Sequence, residues 1–293
     1  MRRRSFLRGA MAAAVAPGPR GDDLIGTPPR HVLADAETTL ADLALAHGLG
    51  YVELVIANPG VDPWLPPPGT AIVLPTAHLL PGAPREGIVV NYADQRLYHF
   101  DPGRAPVSHP VGIAAEEVAP RLGTTRIVGK RRDPSWSPTA TMLAATPDLP
   151  RFVPPGPENP LGSRALDLGW SGYVIHGTNR PYGIGRRVSQ GCVRLHESAI
   201  AELFATAATG TAVRFVDQPV KLGWSHGALL LEIHPDIGQV AEIQESRPPL
   251  HAPLADLERR IVRAAGARAR DVDWALVARA AERRDGMPAP ILT

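Results

Sequence analysis

Cys192 is the only cysteine among 293 residues, so it cannot pair within its own chain. It is either a buried apolar filler or a working thiol. It lies in Ser189-Gln190-Gly191-Cys192-Val193-Arg194-Leu195, and upstream stands Val174-Ile175-His176-Gly177-Thr178-Asn179. A thiol attacks as thiolate and needs an imidazole, or a dipole that favours negative charge, beside it. Glu197 to Phe204 reads as a helix, and Cys192 just upstream is expected near its positive N-terminal end. Gly191 lets the backbone approach a ligand and can free an N–H for an oxyanion. Gly172 to His176 reads as a short buried strand broken by Gly177. A histidine at such a strand end can have its Nδ1–H held by a backbone carbonyl, leaving Nε2 to take a proton from sulfur. His196 is a second candidate base. Cys192 and His196 could also be half of a metal site, but no second cysteine or paired-His helix completes one.

The run from His176-Gly177-Thr178-Asn179 through Gly183-Ile184-Gly185 to Ser189-Gln190-Gly191-Cys192-Val193-Arg194-Leu195 resembles the active-site signature of the L,D-transpeptidases, enzymes of peptidoglycan with a YkuD catalytic domain. Asp133-Pro134-Ser135-Trp136-Ser137-Pro138-Thr139 and Val153-Pro154-Pro155-Gly156-Pro157-Glu158-Asn159-Pro160-Leu161-Gly162 resemble the subgroup that attaches Braun lipoprotein to the wall. The resemblance spans about Gly87 to Asp217. It implies a mainly β catalytic domain, a β-sandwich with short helices, with Cys192 as nucleophile and His176 as base. It further implies that the Gly177 carbonyl orients His176 and that amides near Gly191 and Cys192 receive the oxyanion. Tyr173, Ser189, Gln190 and Arg194 are the candidate substrate contacts. Gln190 stands where the family most often has His; it can hydrogen-bond but cannot titrate. Arg194 stands where many relatives have Asn, and its fork suits a substrate carboxylate or a structural one such as Glu197.

The elements that must position these residues are legible in outline. Thirty-two prolines and 28 glycines point to many turns and short strands rather than a helical bundle. Gly87 to Phe100 alternates like a hairpin, and further short strands follow near Val107 to Ile113, Gly123 to Lys130 and Val213 to Val216. The stretch Pro147 to Pro160 is too rich in proline for regular structure and suits a binding loop or lid. Val32 to Pro75 reads as β-α-α-β, with Thr39 capping a helix to His47 and a second helix from Tyr51 to Ala57. The spacing of Thr39-Leu40, Leu43-Ala44, Ile56-Ala57-Asn58-Pro59 and Pro68-Gly69-Thr70 is similar to a LysM module, which implies binding of peptidoglycan glycan strands; the plainer reading is a small cap on the catalytic domain. A tethering module would raise the local concentration at the wall without touching the chemical step.

The expected organisation is therefore an export segment over 1–20, a LysM-like module over 31–76, a catalytic domain over 86–217, and a hairpin with a helical extension over 218–293. The extension should hold two amphipathic helices, Pro253 to Ala267 and Asp271 to Arg284. Arg3-Arg4-Ser5-Phe6-Leu7-Arg8 resembles a twin-arginine signal, with Ala14-Val15-Ala16 as a cleavage site, so the periplasm is the expected location. No segment has the roughly 18 uninterrupted apolar residues of a membrane span. Net charge of +2 without a basic, aromatic-rich stripe argues against nucleic acid. No metal or organic cofactor is implied. Peptidoglycan stems and glycan are the expected partners, with an outer-membrane protein as a further possible acyl acceptor. The rival readings are a non-catalytic wall-binding protein and a cysteine peptidase or amidase that uses water.

Overall fold

The computed structural model describes residues 22–115, 118–189, 191–247, 249 and 251–293. The export signal and Gln190 lie outside the described residues. Among those described, no single helix is long and apolar enough to cross a membrane.

At the N-terminal side β1 (Leu24–Gly26) precedes the β-α-α-β unit: β2 (Arg30–Leu33), α1 (Leu40–His47), α2 (Tyr51–Ala57) and β3 (Ala71–Leu74). β2 and β3 pair antiparallel, from Arg30 opposite Leu74 to Leu33 opposite Ala71. Thr39 and Asp42 cap α1 reciprocally, and Gly48 ends it in the left-handed conformation. Leu40, Ala44, Leu49, Leu54, Ile72 and Leu74 form its core. Asn58 closes the unit, donating to Leu54 O at 2.8 Å and to Val73 O at 2.9 Å and accepting from Val73 N at 2.7 Å.

After β4 (Ala77–Leu79), which pairs with β1, come β5 (Gly87–Asn91), β6 (Arg96–Phe100), β7 (Val107–Pro110), β8 (Ile113–Ala114) and β9 (Gly123–Arg132). Then follow α3 (Ala140–Ala145), β10 (Arg164–Leu168), β11 (Val174–His176), β12 (Arg187–Ser189), β13 (Val193–Arg194), α4 (Glu197–Thr206) and β14 (Ala212–Val216). The expected sandwich is replaced by one eight-stranded mixed sheet in the order β13-β11-β10-β9-β14-β5-β6-β7, with β8 and β12 as a separate parallel pair. The sheet curls until its edges nearly meet: Gly112, just past β7, bridges to Arg194 of the opposite edge strand. One apolar core therefore draws on both ends of the sheet, Leu97 and Val193 included, and α4 fills it with Ala199, Ile200 and Leu203. A sheet closed in this way needs no second face to bury its apolar side.

The C-terminal extension comprises β15 (Val220–Ser225), β16 (Ala228–Ile233), α5 (Val240–Gln244), α6 (Leu257–Ala265), α7 (Trp274–Arg283) and β17 (Ala289–Pro290). Both long helices begin later than expected, because Asp256 is left-handed and Asp273 caps α7 through the amides of Ala275 and Leu276. Instead of merely lying on the catalytic domain, they build a core of their own on the hairpin, with Leu229, Leu231, Ile233, Ile261, Val277 and Ile291. α5 packs on α2, Val240 and Ile243 against Tyr51 and Val52.

A buried charge cluster ties these parts together. Lys221 Nζ lies 2.7 Å from Asp94 Oδ2 and 2.5 Å from Glu232 Oε1, all three side chains fully buried. It also donates to Leu79 O at 3.0 Å, and His234 Nε2 meets Glu232 Oε1 at 2.6 Å. Asp94, Glu232 and His234 offer donor atoms within 4.8 Å of one another, as a metal site would, but the ammonium already bridges the two carboxylates. Its charge is held firmly, since the carboxylates outweigh burial and raise the Lys221 pKa well above the usual value. Lys221→Met should lose about 3–5 kcal/mol of stability, because two carboxylates would stay buried without their cation. Urea unfolding monitored by circular dichroism checks this.

Candidate active site

The parallel pair β11 and β13 sets the geometry. Ile175 stands opposite Val193, and both face the core almost fully buried. Side chains alternate along a strand, so His176 on one strand and Cys192 and Arg194 on the other share the opposite face. Cys192 immediately precedes β13, two residues before Arg194, the strand partner of His176.

The His176 ring is buried and its Nδ1–H donates to Gly177 O at 2.6 Å, which leaves Nε2 as the acceptor. Burial lowers its pKa to about 4, against the opposing pull of the Gly177 carbonyl. Burial likewise pushes the Cys192 thiol up, while the Val174 amide, Arg194 and Arg131 favour the thiolate. At rest the pair is therefore a neutral thiol and a neutral imidazole. Four residues, β13 followed by Leu195 and His196, stand between Cys192 and the start of α4. The residue at that helix start is Glu197, whose carboxylate accepts from Thr178 N at 2.8 Å, Ser163 N at 3.1 Å and Ser163 Oγ at 2.6 Å.

That carboxylate explains Gly177. A Cβ there, or at Gly162, would overlap Glu197 Oε1. The carboxylate thus holds the segment after His176 to the loop over it. The loop is itself anchored by Asn159, fully buried, which donates to Pro134 O at 2.8 Å and Pro154 O at 3.0 Å and accepts from Leu161 N at 2.9 Å. Trp136 bridges to Val153, so the two motifs over 133–139 and 153–162 form one braced structure.

Several candidate residues take different places from those expected. Ser189 is buried and does not reach for substrate: its Oγ donates to Cys192 O at 2.6 Å and accepts from Gly191 N at 3.2 Å. It staples the nucleophile turn, and it occupies the Gly191 amide that was a candidate oxyanion donor. Gly191 holds φ +112°, a conformation that glycine alone adopts readily. Arg194 does not pair with Glu197, whose oxygens are engaged as above; its buried Nε has no partner among the described residues. Tyr173 is at the site, its ring facing Gly191. His196 turns toward Leu49 of the N-terminal unit.

Other residues at the site carried no sequence signal. Trp170 stands edge-on to Tyr173, with ring centres 5.5 Å apart, and Arg121 lies 4.3 Å over Trp170. Arg131 grips Asp167 through two hydrogen bonds of 2.9 and 2.7 Å on the strands behind His176. Only the alternation of β9 and β10, Arg131 opposite Ala165 and Asp167 opposite Val174, could have pointed to them.

A thiol and an imidazole of fixed tautomer, carried by adjoining chain segments, are the pair a cysteine acyltransferase uses. The family model of the L,D-transpeptidase catalytic domain, YkuD, matches residues 85–220. The chain is 39% identical over 232 residues to "Probable L,D-transpeptidase YcfS" of Escherichia coli, with 75% of this chain and 72% of that protein covered. It is 38% identical over 281 residues to "Probable L,D-transpeptidase ErfK/SrfK" of Salmonella typhimurium, with 93% and 89% covered. This chain belongs to the L,D-transpeptidase family and is an enzyme of that class.

Proposed function

We propose that the protein is a periplasmic transpeptidase of peptidoglycan stem peptides acting through a thioester on Cys192. The observation that supports this is that the strand ending at His176 pairs with the short strand entered directly from Cys192, with Nε2 of His176 left as acceptor. Nε2 takes the thiol proton as sulfur attacks the carbonyl between meso-diaminopimelate and the terminal D-alanine. The carbonyl oxygen becomes an oxyanion. Since Ser189 holds the Gly191 amide, the Cys192 amide is the N–H of this turn best placed to receive it. The tetrahedral adduct collapses, the C–N bond breaks, and imidazolium returns the proton to the departing D-alanine amine. An acceptor amine then attacks the thioester, gives its proton to His176, and releases the thiol. That amine belongs to a second stem, giving a 3→3 cross-link, or to a lysine of an outer-membrane protein. The motifs over 133–139 and 153–162 favour the protein acceptor. The β-α-α-β unit would act as a LysM-like glycan-binding module, and the twin-arginine-like segment would direct export.

Incubation with a soluble disaccharide tetrapeptide, with and without an amine acceptor, tests this reading. D-alanine release with amide formation supports it; release with a free acid as sole product makes the protein a hydrolase, and no release refutes the reading. A carbapenem should also add one drug mass to Cys192 by intact-protein mass spectrometry. Its strained carbonyl presents the thiol with the same attack, and ring opening keeps the leaving amine tethered.

A further inference from the structure

The segment leading into the nucleophile is built onto the N-terminal unit. Tyr51 N–H donates to Ile184 O at 3.2 Å and Val52 N–H to Gly185 O at 3.1 Å. These are the first two amides of α2, which have no acceptor within the helix. Gly185 has φ +72°, and a Cβ there would overlap the backbone of Gly50 and Tyr51. Tyr182 Oη donates to Asp42 Oδ1 of α1 at 2.8 Å. Arg186, directly after Gly185, lays its guanidinium 3.4 Å from the centre of the buried Tyr51 ring and 5.6 Å from Trp64, whose rings lie 5.8 Å apart.

From the other side the C-terminal extension grips Arg187. Its amide donates to Gln244 Oε1 of α5 at 2.5 Å, and its guanidinium reaches Ile237 O at 3.0 Å as well as Ala115 O at 2.9 Å. Two residues later the chain enters the Ser189–Cys192 turn. That turn has its own staple, and β13 is only two residues long. The placement of Cys192 against His176 therefore depends on where residues 184–187 are held.

We propose that the N-terminal unit is a positioning element for Cys192, acting through the Gly185–Val52 pairing and the stacking of Arg186 on Tyr51, and so contributes to turnover itself. This rests on the reading of Cys192 as the acyl-transfer nucleophile. It departs from a tether that leaves the chemical step untouched. A displacement of about 1 Å at a reacting atom can cost on the order of a hundred-fold in rate.

The test uses the full chain and the variants Gly185→Ala, Arg186→Ala and Tyr51→Phe. Folding is checked by circular dichroism and urea midpoint. Two readouts follow: kcat and KM for D-alanine release from a soluble disaccharide tetrapeptide, and the pH profile of iodoacetamide alkylation at Cys192. Gly185→Ala and Arg186→Ala should lower kcat roughly ten- to a hundred-fold with KM within about two-fold, and should move the alkylation profile. Tyr51→Phe, which keeps the ring under Arg186, should stay within about two-fold of wild type. Folded Arg186→Ala with native kcat and a native alkylation profile overturns the proposal, as does an effect on KM alone. If Gly185→Ala does not fold, Arg186→Ala decides. If the wild type releases no D-alanine, the functional reading fails, and the alkylation profiles still decide whether the unit positions the thiol.

Discussion

Cys192→Ala is expected to cut D-alanine release by roughly 10⁴- to 10⁶-fold, the scale on which loss of a covalent nucleophile acts. The substitution should leave the fold intact. The Sγ contacts are weak ones to the backbone: a long hydrogen bond of 3.5 Å to Gly172 O, and the Val174 amide. The staple that shapes the turn runs from Ser189 Oγ to the Cys192 carbonyl, which alanine keeps. Gly191 retains its left-handed φ, and Val193 its place in the core. The loss is therefore one of chemistry, and circular dichroism with a urea midpoint near that of wild type should accompany it. Near-normal turnover by such a folded variant would remove Cys192 from the mechanism.

His176→Ala is expected to reduce turnover by a similar order, because in the proposed mechanism the thiol proton and the leaving-group proton both pass through Nε2. His196→Ala should be far milder, since its ring addresses Leu49. Inactive His196→Ala with active His176→Ala would reverse the assignment. His176 also leaves a signature in stability. Its folded pKa of about 4 lies below the ordinary value of 6.5. Between these values the unfolded chain binds the extra proton, so stability is lost as pH falls through that window. The full effect is roughly 3 kcal/mol at the low end. His176→Ala should lose this part of the slope in urea midpoints measured from neutral to mildly acidic pH.

The pair at the centre of the site was legible because each member sits in a local pattern that a sequence displays. Strand, glycine and histidine are contiguous at Val174 to Gly177, and glycine and cysteine at 191–192. The β-α-α-β unit was legible for the same reason: Thr39 with Asp42, Gly48, and Asn58 before Pro59 are short-range signals. What escaped notice depends on partners far along the chain. Glu197 secures Thr178 and Ser163, Ser189 turns inward, and Arg194 leaves its Nε without a partner among the described residues instead of pairing with Glu197. The resting protonation of Cys192 and His176 follows from burial, which no local pattern encodes. The short α5 has only five residues, and its role shows through its contact with α2 and with the Arg187 amide, both far along the chain.

The uncharged resting pair has a consequence for durability. Peroxides attack the thiolate, and each step beyond sulfenic acid is hard to reverse. A lone cysteine in this chain has no second thiol with which to form a protective disulfide. Burial that holds Cys192 protonated keeps the sulfur a poor target for oxidants between turnovers. In the proposed mechanism deprotonation is then confined to the moment when substrate and His176 are both in place, so an irreplaceable atom is exposed to oxidation only briefly.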